Sequence, residues 1–174
     1  MPRSSEMSWN PDLGSIKNMQ MKDYLLETFR YNDGANRLAL AKIQEIPEKE
    51  ECVKLVSHLI NSMNKWLGRI RQSPGYAQLD WWAPAYELDE LESKWDECLN
   101  CWLEFVESKT EEELFEEVEF IGFDGDDFAA VIKDIALQLN YHAIQHRSQI
   151  QYLIRQQGIA PDFVDYIGTK YRRL

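Results

Sequence analysis

The apolar positions of this chain recur at steps of three and four in four long segments, the period of helices that each bury one stripe. Leu25, Phe29, Asn32, Asn36, Ala39 and Ile43 fall in register over 21–45. Pro47 ends that segment, because the residue before a proline is pushed out of helical φ/ψ. Cys52, Val56, Leu59, Met63, Trp66 and Ile70 repeat the pattern over 49–72, closed by Ser73, Pro74 and Gly75. Leu88, Leu91, Trp95, Cys98, Trp102 and Phe105 mark a third helix. The period then fails: residues 117–123 alternate apolar with charged side chains before Gly122 and Gly125, as a short extended stretch or hairpin does. Phe128, Ile132, Ile135, Leu139, His142, His146, Gln149 and Leu153 define the last helix, with Asp126 or Asp127 as its expected cap and Gly158 as its stop.

The pattern predicts one all-α domain over 20–174: an antiparallel four-helix bundle with long connections and a short β excursion before the last helix. Residues 1–19 read as a loosely packed arm, and 159–174 as a tail that packs back on the bundle. At 174 residues, 44% hydrophobic and 28% charged, the chain has the proportions of a globular domain. No apolar run is long enough to cross a bilayer, and 1–15 lack a signal-peptide core, so the expectation is a cytoplasmic protein.

Charge narrows the partners. The net charge of −11 disfavours nucleic-acid backbones and anionic membrane surfaces. Fourteen acidic residues stand against Lys94 and Lys109 between Glu87 and Glu119, so the acidity is one solvated surface. Cys98 and Cys101 form a C-x-x-C inside a helical pattern, without the strand-to-helix context of a redox motif, and read as packing residues.

Two of the three histidines change the picture. His142 and His146 are one helical turn apart and stand where their seam calls for aliphatic side chains. Buried imidazoles need partners. The third, His58, lies on the flank of the second helix shared by Leu55, Ser62 and Arg69, in place to reach a neighbouring helix. If the second and fourth helices are neighbours, the three make a facial set of nitrogens for a first-row divalent ion at about 2.0–2.1 Å, with open positions left over. Metal affinity should then fall as pH drops below about 6, because protonated imidazole cannot ligate. The alternative is hydrogen-bonded structural histidines with no ion. HAIQH lacks the glutamate of a zinc peptidase, no histidine has Glu three residues before it as di-iron bundles require, and neither a phosphate loop nor a G-x-S-x-G elbow occurs.

HAIQHRSQI resembles the H-x-x-x-H-R-[small]-Q-[aliphatic] signature of the DinB-like (damage-inducible, YfiT-type) four-helix-bundle metalloproteins, which are unrelated to the DNA polymerase of similar name. YNDGANRL (31–38) is similar to the family's first-helix Y-N-x-x-A-N pattern, and HLINSMNKWLGRI (58–70) to its histidine-bearing second helix. The resemblance covers 22–157. It implies His58, His142 and His146 as ligands of zinc, nickel or a similar ion. It also implies a homodimer and a small-molecule substrate; some members are S-transferases using a low-molecular-weight thiol or glutathione, and many have no assigned activity. A thiol-dependent transferase is favoured over a hydrolase, with Tyr31, Asn32, Arg147 and Gln149 as groups beside the ligands or in the substrate pocket. Ser148 replaces the usual glycine, Gly34 a frequent aromatic and Tyr141 a frequent asparagine, the last two bearing on pocket shape. The competing reading is a non-catalytic bundle with a structural or absent metal, associating through Trp81, Trp82 and Tyr86.

Overall fold

The computed structural model describes residues 19–122 and 124–171, so the expected arm lies outside the described residues apart from Met19. Four helices carry the fold: α1 (Met21–Glu45), α2 (Glu50–Ile70), α3 (Leu91–Ser108) and α4 (Ile132–Gln156). A hairpin of β1 (Glu117–Ile121) and β2 (Asp127–Val131) precedes α4, with Phe120 opposite Phe128. Each of α1 and α2 packs against both α3 and α4. Among the described residues no helix is long and apolar enough to cross a membrane.

The ends follow local chemistry. α1 stops at Ile46, which is extended (ψ 149°) ahead of Pro47. Its start has no local cap; the backbone N–H groups of Met21 and Lys22 donate instead to the Glu111 carboxylate at 2.6 and 3.2 Å, an anion placed at the positive end of the helix. α4 ends in a Schellman turn. Gly158 takes φ +83°, its N–H reaches Arg155 O and the N–H of Ile159 reaches Ile154 O.

Contacting pairs give the helix directions. Asn32 meets Asn140 and Asn36 meets Arg147, so α1 and α4 run the same way. Met63 meets Cys98 and Arg71 lies over Phe105, so α2 and α3 also run together. Arg37 with Asp96 and Arg30 with Glu107 place α1 against α3 in opposite directions. His58 with His142, and Cys52 beside Leu153, do the same for α2 and α4. Neighbours are therefore half parallel, not antiparallel throughout. The long connection 71–90 is what permits this, since only a short loop forces two helices into antiparallel contact.

The start of α4 also differs from expectation. Asp126 and Asp127 do not cap it: the chain passes from β2 into the helix at Val131, and Ile132 N–H donates to Glu116 O of the strand region at 3.0 Å. Phe128 belongs to β2 and stacks on Phe120, with centroids 6.1 Å apart. The buried line of α4 runs Ile132, Ala136, Leu139, Ala143, Ile150 and Ile154, leaving His142, Gln149 and Leu153 to one side. A helix that faces two neighbours has two overlapping stripes, and steps of three and four fit either.

Leu25, Ile43, Ile60, Trp95, Trp102 and Ile154 form the centre of the core. Trp102 stacks on Phe29 and donates its indole N–H to Met63 O at 3.0 Å. Cys98 is core, with Sγ 3.7 Å from Met63 Sδ, and burial pushes its thiol pKa up. The acidic run lies largely on exposed α3 and loop positions, where Arg30, Arg37 and Lys109 pair with part of it. Trp102→Ala should lower the unfolding free energy by about 3–5 kcal/mol in urea denaturation, the cost of emptying a fully packed aromatic site.

Candidate metal centre

His58 on α2 and His142 and His146 on α4 converge. His142 Nε2 lies 3.1 Å from His58 Nε2 and 2.8 Å from His146 Nε2, and one ligand atom from each residue falls within 4.8 Å of the others. The expectation that His58 faces the other two therefore holds. It lies off the stripe of α2 and is still only 6% exposed, because the connection 71–90 folds back over that flank.

The connection is held there by α2 itself. Tyr86 N–H donates to Ser57 Oγ at 3.0 Å, and Asn61 donates to Pro84 O and accepts from Tyr86 Oη. The Lys65 ammonium bonds to Leu79 O and lies over the Trp81 ring. The Arg69 guanidinium is enclosed by the rings of Trp66, Trp81 and Phe120 at 4.6–5.0 Å and donates to Ile121 O. Asp80 Oδ1 accepts from the N–H groups of Trp82 and Ala83, fixing the bend that carries the Trp82 ring onto His58, stacked nearly parallel with ring centroids 3.8 Å apart. Trp81 and Trp82 thus cover one side of the site, with Trp82 still 46% exposed.

The hydrogen bonds on the far side of two rings fix their tautomers. A carbonyl only accepts, so His58 Nδ1–H donates to Trp81 O at 2.7 Å. His146 Nδ1–H donates to Gln149 Oε1 at 2.6 Å. When neutral, both rings then turn a bare Nε2 lone pair toward His142. His142 Nε2 carries at most one proton and satisfies one of these neighbours at a time, so the cluster lacks a positive charge at its centre. Two nitrogens bound to one ion at ~2.0–2.1 Å stand roughly 2.9–3.4 Å apart, close to the two separations that His142 makes, while all three ligand atoms lie within 4.8 Å of one another. The donor set fits a divalent cation.

Burial favours the neutral form of two of the rings. Burial, with the neighbouring imidazoles, holds His142 down at about 4. Burial and His146 lower His58 as well, partly offset by the bond to Trp81 O. Cys52, one turn beyond Leu55, is pushed up to about 11 by burial and offers no thiolate at neutral pH.

Gln149 joins the cluster, whereas Tyr31 and Asn32 bond to Arg147 on another face of α4. The Arg147 side chain, in a residue only 2% exposed, donates to Asn32 Oδ1 at 2.9 Å, Asn36 Oδ1 at 2.8 Å and Tyr31 Oη at 3.2 Å. Asn32 donates to Asn140 Oδ1, and Tyr31 to Val164 O of the C-terminal tail. This is a clamp between α1, α4 and the tail. His146 and Arg147 are successive residues about 100° apart around the helix, so they serve different neighbours. The sequence reading missed Trp82 as the cover of His58 and the Trp81 carbonyl as its anchor. A main-chain acceptor leaves no trace in a residue pattern, and the signal that was present, two tryptophans on a connection beside a histidine flank, also fits an exposed patch.

The helices, the hairpin and the convergent imidazoles define a helical protein of three-histidine type. Residues 19–173 match the family model described as "DinB family", and the chain belongs to that family. No curated protein and no solved structure matches it.

The lowered histidines set the sign of a pH effect. Unfolded histidine titrates near 6.5, and the folded rings of His58 and His142 titrate lower, so between these values the unfolded chain binds more protons. This part of the metal-free stability is complete above about 6.5 and is lost as pH falls toward about 4. Urea midpoints of the metal-free protein at pH 7 and pH 5 should differ less in His142→Gln than in the parent; equal differences would contradict the assignment.

Proposed function

We propose that the protein is a divalent-metal enzyme whose ion, zinc or nickel, is held by His58, His142 and His146, and that it transfers a group to or from a low-molecular-weight thiol. What carries the reading is the convergence of three Nε2 atoms, two of them on rings whose Nδ1–H groups are committed elsewhere. Such an ion would supply a double positive charge that three neutral ligands leave uncompensated, able to stabilise a thiolate at neutral pH.

The chain's own residues supply the rest. The Trp81 carbonyl and Gln149 orient His58 and His146 and raise the basicity of the ligating nitrogens. Trp82 excludes water from one face of His58. Arg147, Asn32 and Tyr31 act at a distance, by holding α4 against α1 so that His142 and His146 keep their register. The small-molecule substrate and the homodimer implied by the resemblance belong to the same proposal, as does the cytoplasmic setting expected from the sequence.

Protein purified without a histidine tag should contain one divalent ion per chain by metal analysis, and His146→Ala should lower the affinity by tenfold or more. Affinity should also fall on acidification, since protons compete for the same nitrogens. Arg147→Ala should cost stability while leaving one ion per folded chain. Thiol-transfer assays over several thiols and electrophiles, with and without metal, test the reaction; full occupancy with uniformly absent turnover would favour a non-catalytic bundle with a structural metal.

A further inference from the structure

The side that α4 turns to solvent differs from the outer sides of the other three helices. α1 exposes Asp23, Arg30 and Glu45, α2 exposes Glu50, Glu51 and Lys54, and α3 exposes Glu92, Glu97, Glu104 and Glu107. On α4, none of the exposed positions between Asp134 and Arg155 carries a charge. Five of them, Gln138, Tyr141, Gln145, Ser148 and Tyr152, follow one another at steps of three and four, and Asp134 and Arg155 continue those steps at either end. They form a single stripe roughly 30 Å long at 1.5 Å per residue, with the spacing of a helix seam but on the outside of the bundle.

The stripe is open and partly apolar. Tyr141 and Tyr152 are 58% and 59% exposed, and Ile144 at its edge is 39% exposed. The Ser148 hydroxyl is satisfied within the helix by Ile144 O. The stripe lies away from the buried Arg147, which faces α1, and it uses none of the histidines.

Contact between identical copies imposes a particular demand on charge. About a two-fold axis a surface meets itself, so a charge near the axis faces its own copy. The chain carries a net charge of −11, most of it on the α3 side, and a second copy approaching there is repelled. Along the α4 stripe that repulsion is absent. The two charges at its ends have opposite signs; each suits its own end of the helix dipole, and in an antiparallel pair Asp134 of one copy also comes to the end that carries Arg155 of the partner subunit. An axis midway between these two positions passes between Ile144 and Gln145.

We propose that this stripe is the homodimer contact, with a second copy packed on α4 antiparallel about a two-fold axis near Gln145, so that Tyr141 and Tyr152 are covered. The inference rests on the homodimer of the reading above, to which it gives a surface, and is independent of the metal.

Sedimentation equilibrium of the full chain should give twice the chain mass of 20.5 kDa. Gln145→Glu and Gln145→Lys each set like charges against one another at the axis and should raise the dimer dissociation constant about tenfold or more, with helix content by circular dichroism and zinc content as in the parent. An equimolar mixture of the two variants should recover the dimer, because unlike charges then meet. Dimers that persist undiminished in both variants, or a mixture that stays monomeric, would overturn the α4 surface and leave the homodimer standing. A parent that is monomeric up to hundreds of micromolar would overturn the homodimer and this inference with it, while its zinc content would still report on the metal reading separately.

Discussion

The enclosure of one guanidinium holds this structure in its working shape. Arg69 is 6% exposed, faces three aromatic rings and has burial lowering its pKa, with no acidic partner among the described residues. Burying such a charge is costly unless the surroundings answer it, and here π faces and the Ile121 carbonyl do so. Trp66 comes from α2, Trp81 from the connection and Phe120 from the hairpin. Three pieces of chain distant in sequence are thereby gathered on one side of α2. Everything that makes His58 a site residue, its cover, its anchor and its tautomer, comes from the connection gathered there.

The two faces of α4 divide the work. Toward α2 it offers His142, His146 and Gln149, whose neighbours leave lone pairs unanswered. Toward α1 it offers Asn140 and Arg147, whose hydrogen bonds to Asn32, Asn36 and Tyr31 are direct and buried. The second set stabilises and the first does not. A buried arginine met by neutral oxygens is held strongly in place, since a misplaced one would be left without partners. The imidazole cluster inherits its geometry from a clamp it does not touch.

Much of this was legible in the residues. The four helices and the hairpin before the last of them follow from periodicity and spacing, and the flank position of His58 made its facing of His142 and His146 conditional on α2 and α4 being neighbours. Three things were not legible. The direction of each helix relative to its neighbours depends on how a twenty-residue connection travels, and composition does not specify a path. The boundary between β2 and α4 was hidden because Phe128 fits the seam of a helix as well as the face of a strand. Arg147 follows His146 directly in sequence, yet a single step of about 100° around α4 turns it to Tyr31 and Asn32 of α1 and away from the histidines.

The hairpin bears on more than the start of a helix. β2 runs into α4 with no intervening residue, while β1 is fastened to α2 through Arg69 at Ile121, and to the turn just past α2 through Gln72, whose amide donates to Glu119 O. The helix carrying two of the histidines and the helix carrying the third are thus joined outside the core by a short rigid brace, like the bow of a calliper. The gap between the jaws is set by the brace and not by the jaws alone. Changes in hairpin length or register, outside the histidine cluster, would rescale the aperture that the proposed ion would occupy.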